Sequence, residues 1–165
     1  LIALVSAYSH FNQAAMVDYY KTLHLHFLKG GKNSEFEDAA SVRQNFQSLD
    51  WKKEPVSKFF LKLYHIYTLN QERKTPELQR YIKQLHETYP DGFPEDKIAE
   101  FRAESLKMMP LLDSFTFNAR SIVMLLTLLL DIEWLYFVCE IVILNPLLSF
   151  AINRHEKMCY GLNRH

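Results

Sequence analysis

Residues 121–153 read SIVMLLTLLLDIEWLYFVCEIVILNPLLSFAIN, and this stretch holds none of the chain's 19 Lys and Arg residues. It is longer and more apolar than one buried helix requires, and Asp131 and Glu133 divide it. The pattern predicts two membrane-crossing helices joined by a tight turn. The first arm is expected from about Ser114 to Leu130, close to the shortest length that spans. The second is expected from about Ile132 to Asn153. Arg120 precedes the apolar core of the first arm, and Arg154 and Lys157 follow the second. Under the positive-inside rule both basic ends face the cytoplasm and the acidic turn faces out.

Two features interrupt the second arm. Glu140 is ionisable, and such a group in lipid is costly and usually faces a bundle interior or a cavity. Asn145-Pro146 follows, and a proline frees a backbone carbonyl about one turn earlier and favours a kink. Two readings stay open here. Glu140 lines a polar pocket, or it pairs with a neighbouring helix as a packing residue.

Outside this stretch the chain is far more polar. The mean hydropathy of −0.16 averages over apolar ends and a polar middle, Lys29 to Lys107. Formal charge is zero over 165 residues, so nucleic acid is not expected as a partner. Only 4 Gly and 6 Pro favour long helices over a turn-rich β fold. Cys139 and Cys159 give no disulfide framework, and Cys139 reads as a small apolar packing residue.

The opening segment LIALVSAY has no basic region and no small-residue cleavage site, so it does not read as a signal peptide. It resembles the tail of an apolar helix, and the expectation is a fragment of a longer protein. Residues 1–28 form one helical pattern, the end of a membrane helix with its cytoplasmic extension. Gly30-Gly31 closes it. Residues 30–34 read as a loop with Ser34 as the next cap. A polar helix is expected over residues 35–49, with an acidic start from Glu35 to Asp38 and anchors at Phe36, Val42, Phe46 and Leu49. Pro55 opens a helix whose broad face carries Phe59, Phe60, Leu63, Tyr64, Ile66 and Tyr67. Thr75-Pro76 is a strong start signal, with Thr75 as cap and Leu78, Tyr81, Ile82 and Leu85 as the stripe. After the break at Tyr89–Pro94, residues 95–109 return to helix.

The organisation that follows is all-α. Residues 29–113 form a helical cytoplasmic insertion, residues 114–153 a C-terminal transmembrane hairpin, and residues 154–165 a cytoplasmic tail. The competing reading is a soluble helical bundle with a buried apolar hairpin.

Candidate polar ligands are His10, Gln13 and Asp18, with Lys21 at the same helical spacing, then His24 and His26, and Glu140 on the hairpin. The plainer reading of the first-helix set is a wet face where the helix leaves the membrane. No HExxH or CxxC pattern supports a zinc site. Tyr19-Tyr20 at one end, and Trp134 with Tyr136 at the other, suit membrane interfaces. Lys52, Lys53, Lys58, Lys62, Arg73, Lys74, Arg80 and Lys83 could meet anionic headgroups or simply form solvated faces. No GxGxxG, Walker A or GxSxG motif is present.

The segments SHFNQAAMVDYYKTLHLHFLKG (Ser9 to Gly30) and TFNARSIVMLLTLLLDIEWLYFVCEIVILNPLLSFAINRHEKMC (Thr116 to Cys159) resemble the CDP-alcohol phosphatidyltransferase family. The likeness is to bacterial members with a cytoplasmic insertion between the fourth and fifth membrane helices. It implies a membrane enzyme of phospholipid synthesis that moves a phosphate-linked group from a CDP-alcohol to an acceptor alcohol and releases CMP. It also implies a divalent metal, Mg or Mn, held by the aspartates of a D-G-x2-A-R-x8-G-x3-D-x3-D signature. That signature does not occur here. The only Asp-Gly pair, Asp91-Gly92, is followed by Phe93-Pro94. The resemblance therefore implies the C-terminal part of such an enzyme, inactive alone, with no catalytic residue carried over. CDP-alcohol and acceptor would be partners of the parent, and membrane lipid a partner of this chain. A homodimer is compatible with this reading. The alternative is a non-enzymatic interaction protein, membrane-anchored or soluble and all-α.

Overall fold

The computed structural model describes residues 1–30 and 39–164, and these residues form helices and turns with no strand. Helix α1, Ile2–Leu28, runs unbroken because no Gly or Pro interrupts it. At about 1.5 Å per residue it is about 40 Å long. It ends at Gly30, whose φ of 69° lies in the left-handed region that glycine enters freely. The Gly30 carbonyl accepts a hydrogen bond from Phe93 N at 3.1 Å, which pins a later loop to the end of α1. The expected loop beyond Gly30, the Ser34 cap, the acidic start Glu35–Asp38 and the Phe36 anchor lie outside the described residues.

Helices α2, Ala39–Ser48, and α3, Pro55–Lys74, form an antiparallel pair. Ala39 N, at the start of α2, donates to Glu72 Oε1 near the end of α3 at 2.7 Å. Helices α4, Pro76–Thr88, α5, Glu95–Leu106, and α6, Met109–Asp113, follow. The last third comprises α7, Phe117–Leu129, then α8, Trp134–Cys139, a π-helical turn over Glu140–Leu144, and α9, Asn145–Leu162.

One core joins the second half of α1 to α4, α5, α6 and α9. The expected α4 stripe of Leu78, Tyr81, Ile82 and Leu85 is buried in it. At its centre the rings of Phe27 and Phe101 stack with centroids 3.8 Å apart. Phe93 lies 5.2 Å from Phe27 on another side. Large aromatic areas of this kind dominate core energetics.

Several expectations are corrected. Tyr19 and Tyr20 are core residues and not an interfacial belt, and Tyr20 packs against the His155 ring at 4.3 Å. The reason is that α9 continues past Asn153 to Leu162 and lays His155, Cys159 and Leu162 against the core. Residues 154–162 are thus docked helix. The apolar face of α3 does not enter the core. Val56, Phe59, Phe60, Leu63 and Ile66 are exposed, because α3 touches α1 mainly through its later half. Helix α7 has 13 residues instead of about 17. Thr116 sits in extended backbone and its hydroxyl donates to Asp113 O, so residues 114–116 form a turn. Asp131, with φ 58°, closes the other end.

Among the described residues one helix is long and apolar enough to cross a membrane by length and composition. This is the 29-residue run Trp134–Leu162, with mean hydropathy 2.0 over its most apolar window.

Candidate functional site

The sequence places Glu140 and Pro146 six residues apart on one apolar helix. Pro146 has no N–H to continue the backbone ladder. The helix accommodates this with the wider π turn just before it, and such turns recur at functional positions. The turn directs Glu140 inward toward α1 and α7, where a cluster of polar side chains meets.

Arg120, on α7, is 5% exposed and Glu140 is 1% exposed. Arg120 Nη1 donates to Glu140 Oε1 and to His10 Nδ1. Its Nη2 donates to Gln13 Oε1 at 2.8 Å, and its Nε donates to Phe115 O at 2.9 Å. Gln13 Nε2 donates to Glu140 O at 3.0 Å and to Asn145 Oδ1 at 2.7 Å. Asn145 Nδ2 donates to Ser9 Oγ at 3.0 Å, and Tyr136 Oη donates to Glu140 Oε1 at 3.1 Å. Three helices contribute, so the network cross-links α1, α7 and the α8–α9 run. Paired charges with full hydrogen bonding are the usual way to hold ions away from water.

His10 sits at the edge, half exposed. Its Nδ1 lies 3.4 Å from Glu140 Oε1 and also receives the Arg120 N–H. One nitrogen cannot accept from Arg120 and donate to Glu140 together. Arg120 can only donate, so Nδ1 serves it as the acceptor, which leaves Glu140 bonded to Arg120 and Tyr136.

Glu140 Oε2 has no hydrogen-bond partner among the described residues. Beside the pair lies a cavity of about 200 Å³, walled by Val123, Tyr136, Cys139, Ile143 and Leu144. Chemically the cluster clamps helices, and it offers one free carboxylate oxygen.

Of the candidates from sequence, the structure gathers His10, Gln13 and Glu140. Asp18 is exposed and lies apart, beside Lys21 and Phe115 in a shallow surface hollow. Lys21 faces Asp113 at 3.6 Å. His24 Nδ1 and Ser105 Oγ are 2.7 Å apart, and His26 is buried against the rings of Phe27, His86 and Phe93. The expected common face of His10, Gln13, Asp18 and Lys21 therefore divides, because a helix turns about 100° per residue and only Gln13 points fully inward. In the sequence Arg120 reads as a flank of the apolar run. The structure makes it the hub. The available signal was a lone Arg four residues after Thr116 with one carboxylate on the facing arm.

Among the described residues no group of three or more His, Cys, Asp or Glu side chains could hold a metal ion. The divalent metal implied by the family resemblance thus has no fitting ligand set in them. The chain matches no protein-family model, no curated protein and no solved structure.

Proposed function

We propose that the chain is a membrane-embedded helical protein with a polar helical cap, held together by the Arg120–Glu140 network. One observation carries this reading. The Trp134–Leu162 helix is strongly apolar, yet only 17% of its most apolar window is buried inside the protein. A soluble core helix of that composition would be covered by the chain itself. Here Val142, Ile143 and Phe150 are exposed, as are Leu125, Leu126, Leu128 and Leu129 on α7 and Ile2, Leu4 and Val5 on α1. Lipid is the solvent that suits such surfaces.

In this arrangement α7 and α8–α9 form the hairpin, and the first half of α1 runs beside it. α7 measures about 20 Å against about 30 Å of hydrocarbon, so it is the short arm. Asp131 and Glu133 at its tip draw the far headgroups inward, a local thinning of modest cost. Arg120 is committed to Glu140 and gives no topology signal. Arg154, Lys157 and the bases of the 39–113 cap support a cytoplasmic orientation for that side under the positive-inside rule. Lipid is the partner, and the cap is the surface open to other proteins.

The test is alkaline extraction of membranes expressing the chain, followed by labelling with an impermeant maleimide. The variants are Asp131→Cys and Lys107→Cys in a cysteine-free background. The reading expects the chain to stay in the pellet, Asp131→Cys to react from outside and Lys107→Cys only after lysis. Release into the supernatant would leave the soluble bundle.

A second reading, the C-terminal part of a CDP-alcohol phosphatidyltransferase-like enzyme, is favoured by one contact. The two segments that carry the resemblance meet at the cluster: Ser9, His10 and Gln13 from one, Arg120, Glu140 and Asn145 from the other. Reading the coding DNA upstream of the Leu1 codon tests it. An open frame with the aspartate signature supports the transferase, and a frame without it removes that reading.

A further inference from the structure

We propose that the groove between α1 and α3 seats one anionic phospholipid, with acyl chain at one end and headgroup at the other. The inference rests on the membrane reading of α1 and names a specific lipid site within it. The groove has a volume of about 600 Å³, within the range of ligand pockets. Its walls include Phe11 from α1 and Leu63, Ile66 and Tyr67 from α3, and it also reaches Arg73 and Lys74.

The order of these groups follows from the contacts between the two helices. Phe11 meets Tyr67 with ring centroids 6.0 Å apart, and Asn12 faces Asn70 at 3.4 Å. Gln71 Nε2 donates to Ala15 O at 2.8 Å. Both numbers rise together, so the helices run side by side in one direction. The apolar end of the groove, at Leu63 and Ile66, therefore adjoins the exposed Tyr8 of α1. The cationic end, at Arg73 and Lys74, adjoins the core-facing half of α1.

Charge complementarity selects the occupant. Neither Arg73 nor Lys74 is ion-paired with a described residue, whereas the cap's Arg80, Lys83, Lys97 and Lys107 each face a glutamate. Two uncommitted cations at one end of an apolar trough match a negative headgroup above an acyl chain. A zwitterionic lipid offers the same phosphate with a compensating ammonium beside it, so it engages the two cations more weakly than a net-negative headgroup does.

The test uses the full chain in an uncharged detergent. Dioctanoyl-phosphatidylglycerol or dioctanoyl-phosphatidylcholine is titrated in, and native mass spectrometry counts the bound lipid. Wild type is compared with Arg73→Gln/Lys74→Gln and with Ile66→Glu. The expected result is one tight phosphatidylglycerol, favoured roughly 10- to 30-fold over phosphatidylcholine at about 1 kcal/mol per cation. That preference should vanish in Arg73→Gln/Lys74→Gln at an unchanged melting temperature, and Ile66→Glu should lose both lipids. Equal affinity for the two lipids, a preference that survives in Arg73→Gln/Lys74→Gln, or a lipid-free dimer mass overturns the proposal. These short lipids dissolve as monomers, so the readout stands apart from alkaline extraction, which decides the membrane reading.

Discussion

Arg120 and Glu140 form a buried ion pair across the interface of α7 with the π turn, 5% and 1% exposed. Removing one member of such a pair leaves an uncompensated charge, whereas removing both can be nearly neutral. Arg120→Leu and Glu140→Leu should each destabilise by about 3–5 kcal/mol. Arg120→Leu/Glu140→Leu should recover most of that loss. Melting temperatures in detergent provide the check. A Glu140→Leu protein as stable as wild type would show that the pair is not what holds these helices.

The Glu156 carboxylate of α9 caps the first turn of α4. Its Oε2 accepts from Glu77 N at 2.7 Å, and its Oε1 faces Leu78 N at 3.4 Å. A carboxylate suits a helix N-terminus because the unpaired N–H groups and the dipole both favour negative charge there. Glu156→Ala should cost about 1 kcal/mol. It should also speed amide hydrogen exchange in the first turn of α4 more than elsewhere. Uniform exchange changes would mean that the contact does not cap.

The same helix start shows how far the sequence could be read. Thr75-Pro76 correctly marks where α4 begins, because proline at the first turn and the apolar stripe are local signals. The cap itself was not legible. Thr75 Oγ1 donates backward to Gln71 O, and the capping group arrives from Glu156, far along the chain. The polar cluster divides similarly. Glu140 and Pro146 stood out because charge and proline are rare in apolar helices. Arg120 did not, since a basic residue beside an apolar run looks like a flank until its partner is placed. For α3, periodicity marked an apolar face but could not say whether that face meets a core. Nothing local distinguishes an apolar stripe awaiting protein from one left exposed.

His24, in the half of α1 that packs in the cap, has its pKa lowered below the ordinary imidazole value. Desolvation is the larger cause and the Arg102 charge the smaller. The folded state thus prefers the neutral ring. Its contribution to stability is complete above the unfolded pKa of about 6.5. It is lost as pH falls from there through the lowered folded value. His24→Gln should flatten the melting-temperature profile on the acid side of about pH 6.5 while leaving pH 8 nearly unchanged. Parallel profiles for the two proteins would show that His24 does not couple protonation to folding.

The Phe27–Phe101 stack ties α1 to α5, and both rings are essentially inaccessible to solvent. Tyr81 lies 5.9 Å from Phe27 and 6.1 Å from Phe101, nearly parallel to both, so one aromatic column links α1, α4 and α5. Truncating a ring in such a column removes its burial and leaves a cavity that rigid neighbours fill poorly. Phe101→Ala should cost about 3–5 kcal/mol, and Phe101→Leu clearly less, because most of the volume is retained. The loss should be read in the cap. Proteolysis between α4 and α5 should accelerate, while the α7–α9 hairpin, tied to α1 through Gln13 and Arg120, keeps its protection. Equal acceleration at both places would mean that the cap and the hairpin unfold as one unit and that the aromatic column holds both.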